Sequence, residues 1–299
     1  MSRSHKARIL LLLVTLIWGT TFVLVKSALS AASPLVFNSL RMLIATAALA
    51  AIFHRKLWKI PRNTIASGVL LGVFLWLGYA FQTSGLRLTT PSKSAFLTGL
   101  SVVLVPLLVA AAARRLPSRW TIFGVLCAFA GLYLMTMPAG SGFALASMNR
   151  GDLLTIGCAA SFTLHVFFNG RMTRRYAYEH IAVVQVATAM VLMPLLIPLE
   201  TPKLVWSRPL VFALVFTGVV CTAIAFSVQA WAQQYTPATH TALIFSTEPV
   251  FAAVTSYLFL GEHLGTRGTI GAALILGGIL IAELKGSAVE PVAGFEANR

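Results

Sequence analysis

Residues 232–267 read AQQYTPATHTALIFSTEPVFAAVTSYLFLGEHLGTR. A polar bend at Tyr235-Thr236-Pro237 leads into an apolar run from about Thr239 to Leu260, which stops at Gly261-Glu262. The run is long enough to cross a ~30 Å hydrocarbon core as a helix. In its middle stands Glu248-Pro249. A carboxylate halfway along an apolar span is expensive in lipid, so it is expected to face a cavity or a partner group. Glu248 lies nine residues into the span, which is ~14 Å deep at ~1.5 Å per residue. Pro249 removes a backbone donor and loosens the helix beside it.

The rest of the chain repeats this pattern. Of 299 residues, 58% are hydrophobic and 10% charged, a balance that no water-soluble domain of this size needs. The sequence therefore predicts an all-α polytopic membrane protein. About ten apolar spans of 17–24 residues fall near 8–29, 34–53, 64–84, 93–113, 119–137, 151–170, 180–199, 209–231, 239–260 and 268–284. Arg3, Lys6 and Arg8 before the first span imitate a signal peptide, but the apolar run Ile9–Val25 exceeds the usual 7–15 residue core of one. It is read as a retained span. Cys127, Cys158 and Cys221 all sit inside spans without paired spacing. They read as small core residues, and no disulfide framework, metal site or cofactor is indicated.

The formal charge of +15 could point to nucleic acid, but its placement points to topology. With the N-terminus inside, the cytoplasmic segments hold 15 Lys and Arg, the opposite face holds 7, and Arg41 lies within a span. This bias places both termini in the cytoplasm. The basic runs at 54–62, 114–119 and 171–175 are thereby explained, and no nucleic-acid partner is expected.

The chain also repeats itself. A shift of 147 residues lays Thr89 on Thr236, Ala95 on Ala242, Gly124 on Gly271 and Gly131 on Gly278 without a gap. The same shift lays Arg115 on Glu262, a basic loop residue on a position freed from that topological pressure. Each copy holds five spans, and an odd number forces the second copy to run through the membrane the other way. Ten transmembrane helices as two inverted-topology five-helix repeats are thus expected, with a substrate site near the midplane between them. The boundaries are 1–137 for the first repeat, 138–150 for a Gly- and Ser-containing linker, 151–286 for the second repeat and 287–299 for a disordered tail.

The stretch from Gln233 to Ile281, with Glu248-Pro249 and Leu260-Gly261-Glu262, resembles the C-terminal signature of the drug/metabolite transporter superfamily in its EamA-like branch. Trp18-Gly19-Thr20-Thr21-Phe22 resembles the family's first-helix pattern. The resemblance covers the whole chain. It implies a secondary transporter of the bacterial inner membrane, similar to exporters of amino acids, aromatic ones included. It also implies that the fifth and tenth helices pack outside the eight that enclose the cavity. Glycines 124, 131, 268, 271, 277 and 278 in those two helices permit close contact and would also serve a homodimer through them.

Each candidate for the cavity has a plainer alternative. Glu248 is a proton-titrating or amine-binding carboxylate, or a structural partner for Arg41 or for backbone amides near the proline. Arg41 in FNSLRML binds a substrate carboxylate, or snorkels and holds the fold. Ser161, His165 and Asn169 form a polar stripe that lines either water or another helix. His240, beside a loop, is expected at the interface. Trp76, Tyr79 and Thr83 share a face with Gln82 at its edge; Trp18, Gln185 and Gln229 add to the same depth. Aromatic rings with sparse neutral polar groups suit a small amphipathic solute better than a bare ion, and the alternative is an interfacial aromatic belt. A membrane enzyme or receptor is the rival class. It would need clustered catalytic side chains near one face. Multidrug or other metabolite efflux is the rival substrate reading.

Overall fold

The computed structural model describes residues 2–89, 91–137, 148–251, 253–254 and 265–285. The expected linker at 138–147, the tail at 287–299 and the end of the ninth span with Gly261-Glu262 lie outside them. The described residues are helical almost throughout. The first half comprises α1 (Arg3–Gly19), α2 (Thr21–Ala28), α3 (Pro34–Phe53), α4 (Arg62–Leu88), α5 (Pro91–Gly99), α6 (Ser101–Ala113) and α7 (Arg119–Thr136). The second comprises α8 (Arg150–Arg175), α9 (Tyr178–Leu192), α10 (Arg208–Val215), α11 (Ala225–Ala232), α12 (Ala238–Phe245) and α13 (Thr266–Lys285). Between α10 and α11 the helix loosens into a π segment, Phe216–Ile224. Among the described residues, seven helices are long and apolar enough to span a membrane, and two shorter apolar helices cover Arg119–Met135 and Thr266–Ala282.

Two spans are broken at equivalent places. α5 gives way to α6 at Leu100, and α12 ends at Phe245 before the chain turns at Ser246-Thr247 and becomes helical again at Glu248. The 147-residue shift carries Gly99-Leu100 onto Ser246-Thr247. In the second copy the reason is Pro249, which cannot donate to the carbonyl four residues before it. Ser246 and Thr247 turn their hydroxyls onto the carbonyls of Leu243 and Ile244, at 2.6 Å each.

The halves interlock. α4 lies against α8 and α9 of the second half, while α11 lies against α1 and the π segment against α3. The third span of each half is thus inserted between the first two spans of the other. α7 and α13 complete the arrangement by packing on each other. A Cβ on Gly124 would stand 2.5 Å from the carbonyl oxygen of Gly278, and one on Gly131 would stand 2.4 Å from that of Gly271. The shift of 147 turns the first of these contacts into the second. Position numbers rise on one helix as they fall on the other, so the helices are antiparallel and a twofold axis crosses their seam. The repeats are therefore inverted relative to each other. Gly124, Gly131, Gly271 and Gly278 of these two helices thus cover one another inside one chain.

Backbone-to-backbone contact of this kind tolerates no methyl group. Gly131→Ala is expected to destabilise the protein by about 1–3 kcal/mol, whereas Gly277→Ala, whose Cβ would meet nothing within 4 Å, leaves stability unchanged. Thermal unfolding in detergent micelles measures both, and equal midpoints would contradict the seam.

Candidate functional site

Contacts between loops define two faces. On one, here the terminal face, Arg3 reaches Tyr235, Lys56 pairs with Glu179, and His180 Nε2 lies 2.8 Å from the Lys56 carbonyl. On the other, Lys26 donates to the carbonyls of Leu86 and Thr89 at 2.5 and 3.3 Å, Thr89 donates to Asp152 at 2.8 Å, and Ser33 donates to Glu200 at 2.6 Å.

Between these faces lies a cavity of about 110 Å³, enough for several waters or a small solute. Its lining obeys the repeat. Trp18 and His165, Tyr79 and Phe226, Gln82 and Gln229, Thr98 and Phe245, Gly99 and Ser246, and Ser101 and Glu248 all line it, and each pair is separated by 147 positions. The cavity therefore sits on the axis that relates the halves, and both helix breaks open onto it. It extends to Val25 and Leu86, within a turn of the helix ends at Ala28 and Leu88 on the opposite face.

The walls are built from both halves. Trp18 packs tilted against Phe226 and edge-on to Phe245, with ring centroids at 5.5 and 5.1 Å, and donates Nε1–H to the Cys221 carbonyl at 2.9 Å. That carbonyl belongs to the π segment, where the i+5 pattern disturbs the usual ladder. Arg41, 5% exposed, donates Nε–H to Thr222 at 2.8 Å and Nη2–H to the Tyr79 hydroxyl at 3.0 Å. The sequence carries no obvious signal for the π segment, which the residue spacing missed.

Of the residues expected to meet here, Trp18, Arg41, Tyr79, Gln82, Thr83, His165, Gln229 and Glu248 line the cavity. Trp76, Ser161 and Gln185 do not. Trp76, one turn along α4 from Tyr79, is packed into an apolar cluster with Met42, Leu75 and Val186. Ser161 turns back onto its own helix and donates to the Gly157 carbonyl at 2.9 Å. Gln185 stands behind the wall, its Oε1 2.8 Å from His165 Nε2. His240 is buried, at 3% exposure, in the first turn of α12. Glu248 does not pair with Arg41: its carboxylate makes no hydrogen bond or ion pair among the described residues. Phe162, Phe226, Phe245 and Ser101 line the cavity without having been expected there. The repeat carried the signal for Phe226, which lies on Tyr79 after the shift.

Below the cavity, toward the terminal face, α8 and α11 are sealed by amides. Asn169 and Gln229 both donate to Gln233 Oε1, at 2.6 and 3.1 Å, and Gln233 Nε2 donates to the Val166 carbonyl at 2.9 Å. One turn further, Gln234 donates to the Thr173 carbonyl at 2.8 Å. Asn169, expected in a stripe with Ser161 and His165, thus serves a helix–helix seal. No group of three His, Cys, Asp or Glu side chains able to hold a metal occurs among the described residues.

The EamA-like transporter family matches the chain twice, over residues 5–137 and 149–284. The chain belongs to the EamA-like transporter family. Its two matched stretches correspond to the two halves interlocked above. An uncharacterized transporter of Archaeoglobus fulgidus is 33% identical over 275 residues, covering 92% of this chain and 85% of the relative. The uncharacterized transporter YoaV of Bacillus subtilis is 24% identical over 282 residues, covering 90% and 93%. A shorter likeness, 36% over 95 residues or 31% of this chain and 30% of the relative, joins it to the S-adenosylmethionine/S-adenosylhomocysteine transporter of Chlamydia muridarum. A solved crystal structure superposes with a TM-score of 0.80 at 24% identity, covering 95% of this chain and 99% of that one, and shares the fold. This EamA-like transporter is accordingly a multi-pass membrane protein that carries small molecules.

The seal yields a prediction. Gln233→Ala removes all three of its bonds and leaves two amide donors without their acceptor, so a loss of about 1–2 kcal/mol is expected. Gln234→Ala, which removes a single bond at the margin, should lower the unfolding midpoint less, and the reverse order would show that the seal does not hold α8 to α11.

Proposed function

We propose that this EamA-like transporter is a secondary carrier that exports amino acids, aromatic ones included, across the bacterial inner membrane by alternating access of its two halves. The observation that carries the reading is the cavity on the twofold axis, walled by Trp18, Tyr79, Phe162, Phe226 and Phe245. Aromatic walls with a few convergent polar groups suit an amphipathic organic solute. Sugar phosphates and nucleotides would call for several cavity cations, and among the described residues Arg41 is the one Lys or Arg that lines this cavity.

The direction of the membrane follows from charge. The 15 to 7 distribution of basic residues puts the terminal face, with Arg3, Lys56 and Arg175, in the cytoplasm. The amide seal then closes the cavity from the cytoplasm while the lining extends toward the outside, which supports an outward-facing state. Export runs through the same cavity once the seal opens and the outer ends of α2 and α4 close.

The Chlamydia muridarum relative is named for S-adenosylmethionine and S-adenosylhomocysteine. Both carry an α-amino acid head, and this supports including them among the candidate substrates. Drug efflux remains the rival reading, which bulky cations added to the panel address.

Uptake into liposomes holding the purified protein decides between these. With radiolabelled amino acids and no imposed ion gradient, saturable uptake competed by neutral and aromatic amino acids is expected, and empty liposomes show none. Uptake of cationic drugs with no uptake of any amino acid, with or without a proton gradient, would overturn the amino-acid reading.

A further inference from the structure

The cavity framework is matched across the axis, but its charges are not. Arg41 corresponds to Thr188 after the 147-residue shift, and Glu248 corresponds to Ser101. Thr188 is turned onto its own helix, donating to the Val184 carbonyl at 2.8 Å, and Ser101 is neutral. One cation thus comes from the first half and one carboxylate from the second. They stand on different walls: Arg41 among α3, α4 and the π segment, Glu248 beyond the break that follows α12.

Neither charge has a counter-ion among the described residues. The Arg41 guanidinium has five N–H donors. The bonds to Thr222 and Tyr79 use two of them and fix its plane. Its Nη1 makes no hydrogen bond among the described residues, nor is it among the buried side-chain atoms left unpaired, so it opens to the cavity. The Tyr79 ring covers one side of the guanidinium, its centroid 4.3 Å from Cζ; the group does not shed its charge on burial, and a cation in a low-dielectric wall without an anion is a standing demand for one. The Glu248 carboxylate makes the complementary demand from the other half.

We propose that the cavity reads a zwitterion in one orientation, with the substrate α-carboxylate on Arg41, its α-ammonium on Glu248 and its side chain against Trp18 and Phe226. The clamp rests on the amino-acid reading above and sharpens it to the head group. A dipolar ion leaves neither protein charge unpaired. An amine leaves Arg41 bare, and a carboxylic acid leaves Glu248 bare, so each is rejected by a desolvated charge as well as by a lost contact. Because the two charges belong to opposite halves, the bound zwitterion also ties the halves together. The matched part of the lining supplies the shape, and the unmatched part supplies the polarity.

The test is competition against labelled phenylalanine uptake in liposomes holding the full-length protein. Unlabelled phenylalanine is compared with phenethylamine, 3-phenylpropionate and phenylalanine amide, which keep the ring and lose one charge. Each analogue is expected to compete at least about tenfold more weakly than phenylalanine. In Glu248→Gln the penalty on 3-phenylpropionate should shrink relative to phenylalanine, and Glu248→Asp should restore it. In Arg41→Gln the same holds for phenethylamine, with Arg41→Lys as the restoring variant. Arg41 also ties three elements together; where its variants misfold, the analogue series on the unaltered protein decides alone. Equal competition by phenethylamine or 3-phenylpropionate would overturn the clamp while leaving amino-acid transport standing. Absence of uptake of every α-amino acid would remove the functional reading and the clamp with it.

Discussion

Hydrocarbon offers a polar side chain no water, so each one inside a span must find a partner or a cavity. That constraint sorts the interior of this protein. Hydroxyls fold back onto their own helices, as in Thr15 and Thr217, which donate to the carbonyls of Leu11 and Ala213 at 2.8 and 2.6 Å. Amides pair between helices, as Asn169 and Gln233 do. Others, Arg41, Gln82 and Glu248 among them, face the cavity on the axis. Lipid receives the apolar remainder, including exposed Leu126, Leu195 and Leu280.

On the proposed mechanism, the same inverted repeat that makes the cavity makes a carrier out of it. Two copies of one unit related by a twofold axis in the membrane plane have two equivalent ways to tilt, and exchanging their conformations turns an outward cavity into an inward one. The glycine seam of α7 and α13 lies on that axis, where motion of one half against the other is least. The interlocked third spans lie away from it, where the tilt must break and remake contacts; the Asn169–Gln233 seal joins α8 and α11 inside the second half, so it opens when the third span moves against the first. A seal of a few neutral amide bonds is suited to this: it holds a state by a modest amount and can be exchanged for water.

Much of this architecture was legible in the chain. The apolar runs predicted the helices, and the 147-residue shift predicted the inversion that the Gly124–Gly278 and Gly131–Gly271 contacts display. The site was legible in part, because helical spacing reports which residues share a face but not what that face meets. Tyr79, Thr83 and Trp76 lie close on one helix, yet the cavity ends between Tyr79 and Trp76. His165 and Asn169 share a stripe, yet the first reaches the cavity and Gln185 while the second meets Gln233. Breaks without proline were invisible: Pro249 marks the second-half break, but nothing comparable marks Leu100, and the π segment around Cys221 is made of ordinary apolar residues. Thr222, one of the two polar partners of Arg41, lies in that segment and could not be read before it.

The central claim is that one cavity is exposed alternately by opposed motion of the two halves. Paired spin labels test it most directly, in a variant with Cys127, Cys158 and Cys221 replaced. One pair, at Lys59 and Arg175, spans the halves on the terminal face; the other, at Arg87 and Thr201, spans them on the opposite face, all four positions being exposed. Electron–electron distance measurements in lipid nanodiscs, with and without substrate, should show two populations on each face that change in opposite senses, one pair lengthening as the other shortens. Distances that stay single on both faces under every condition, or that lengthen together, would contradict it.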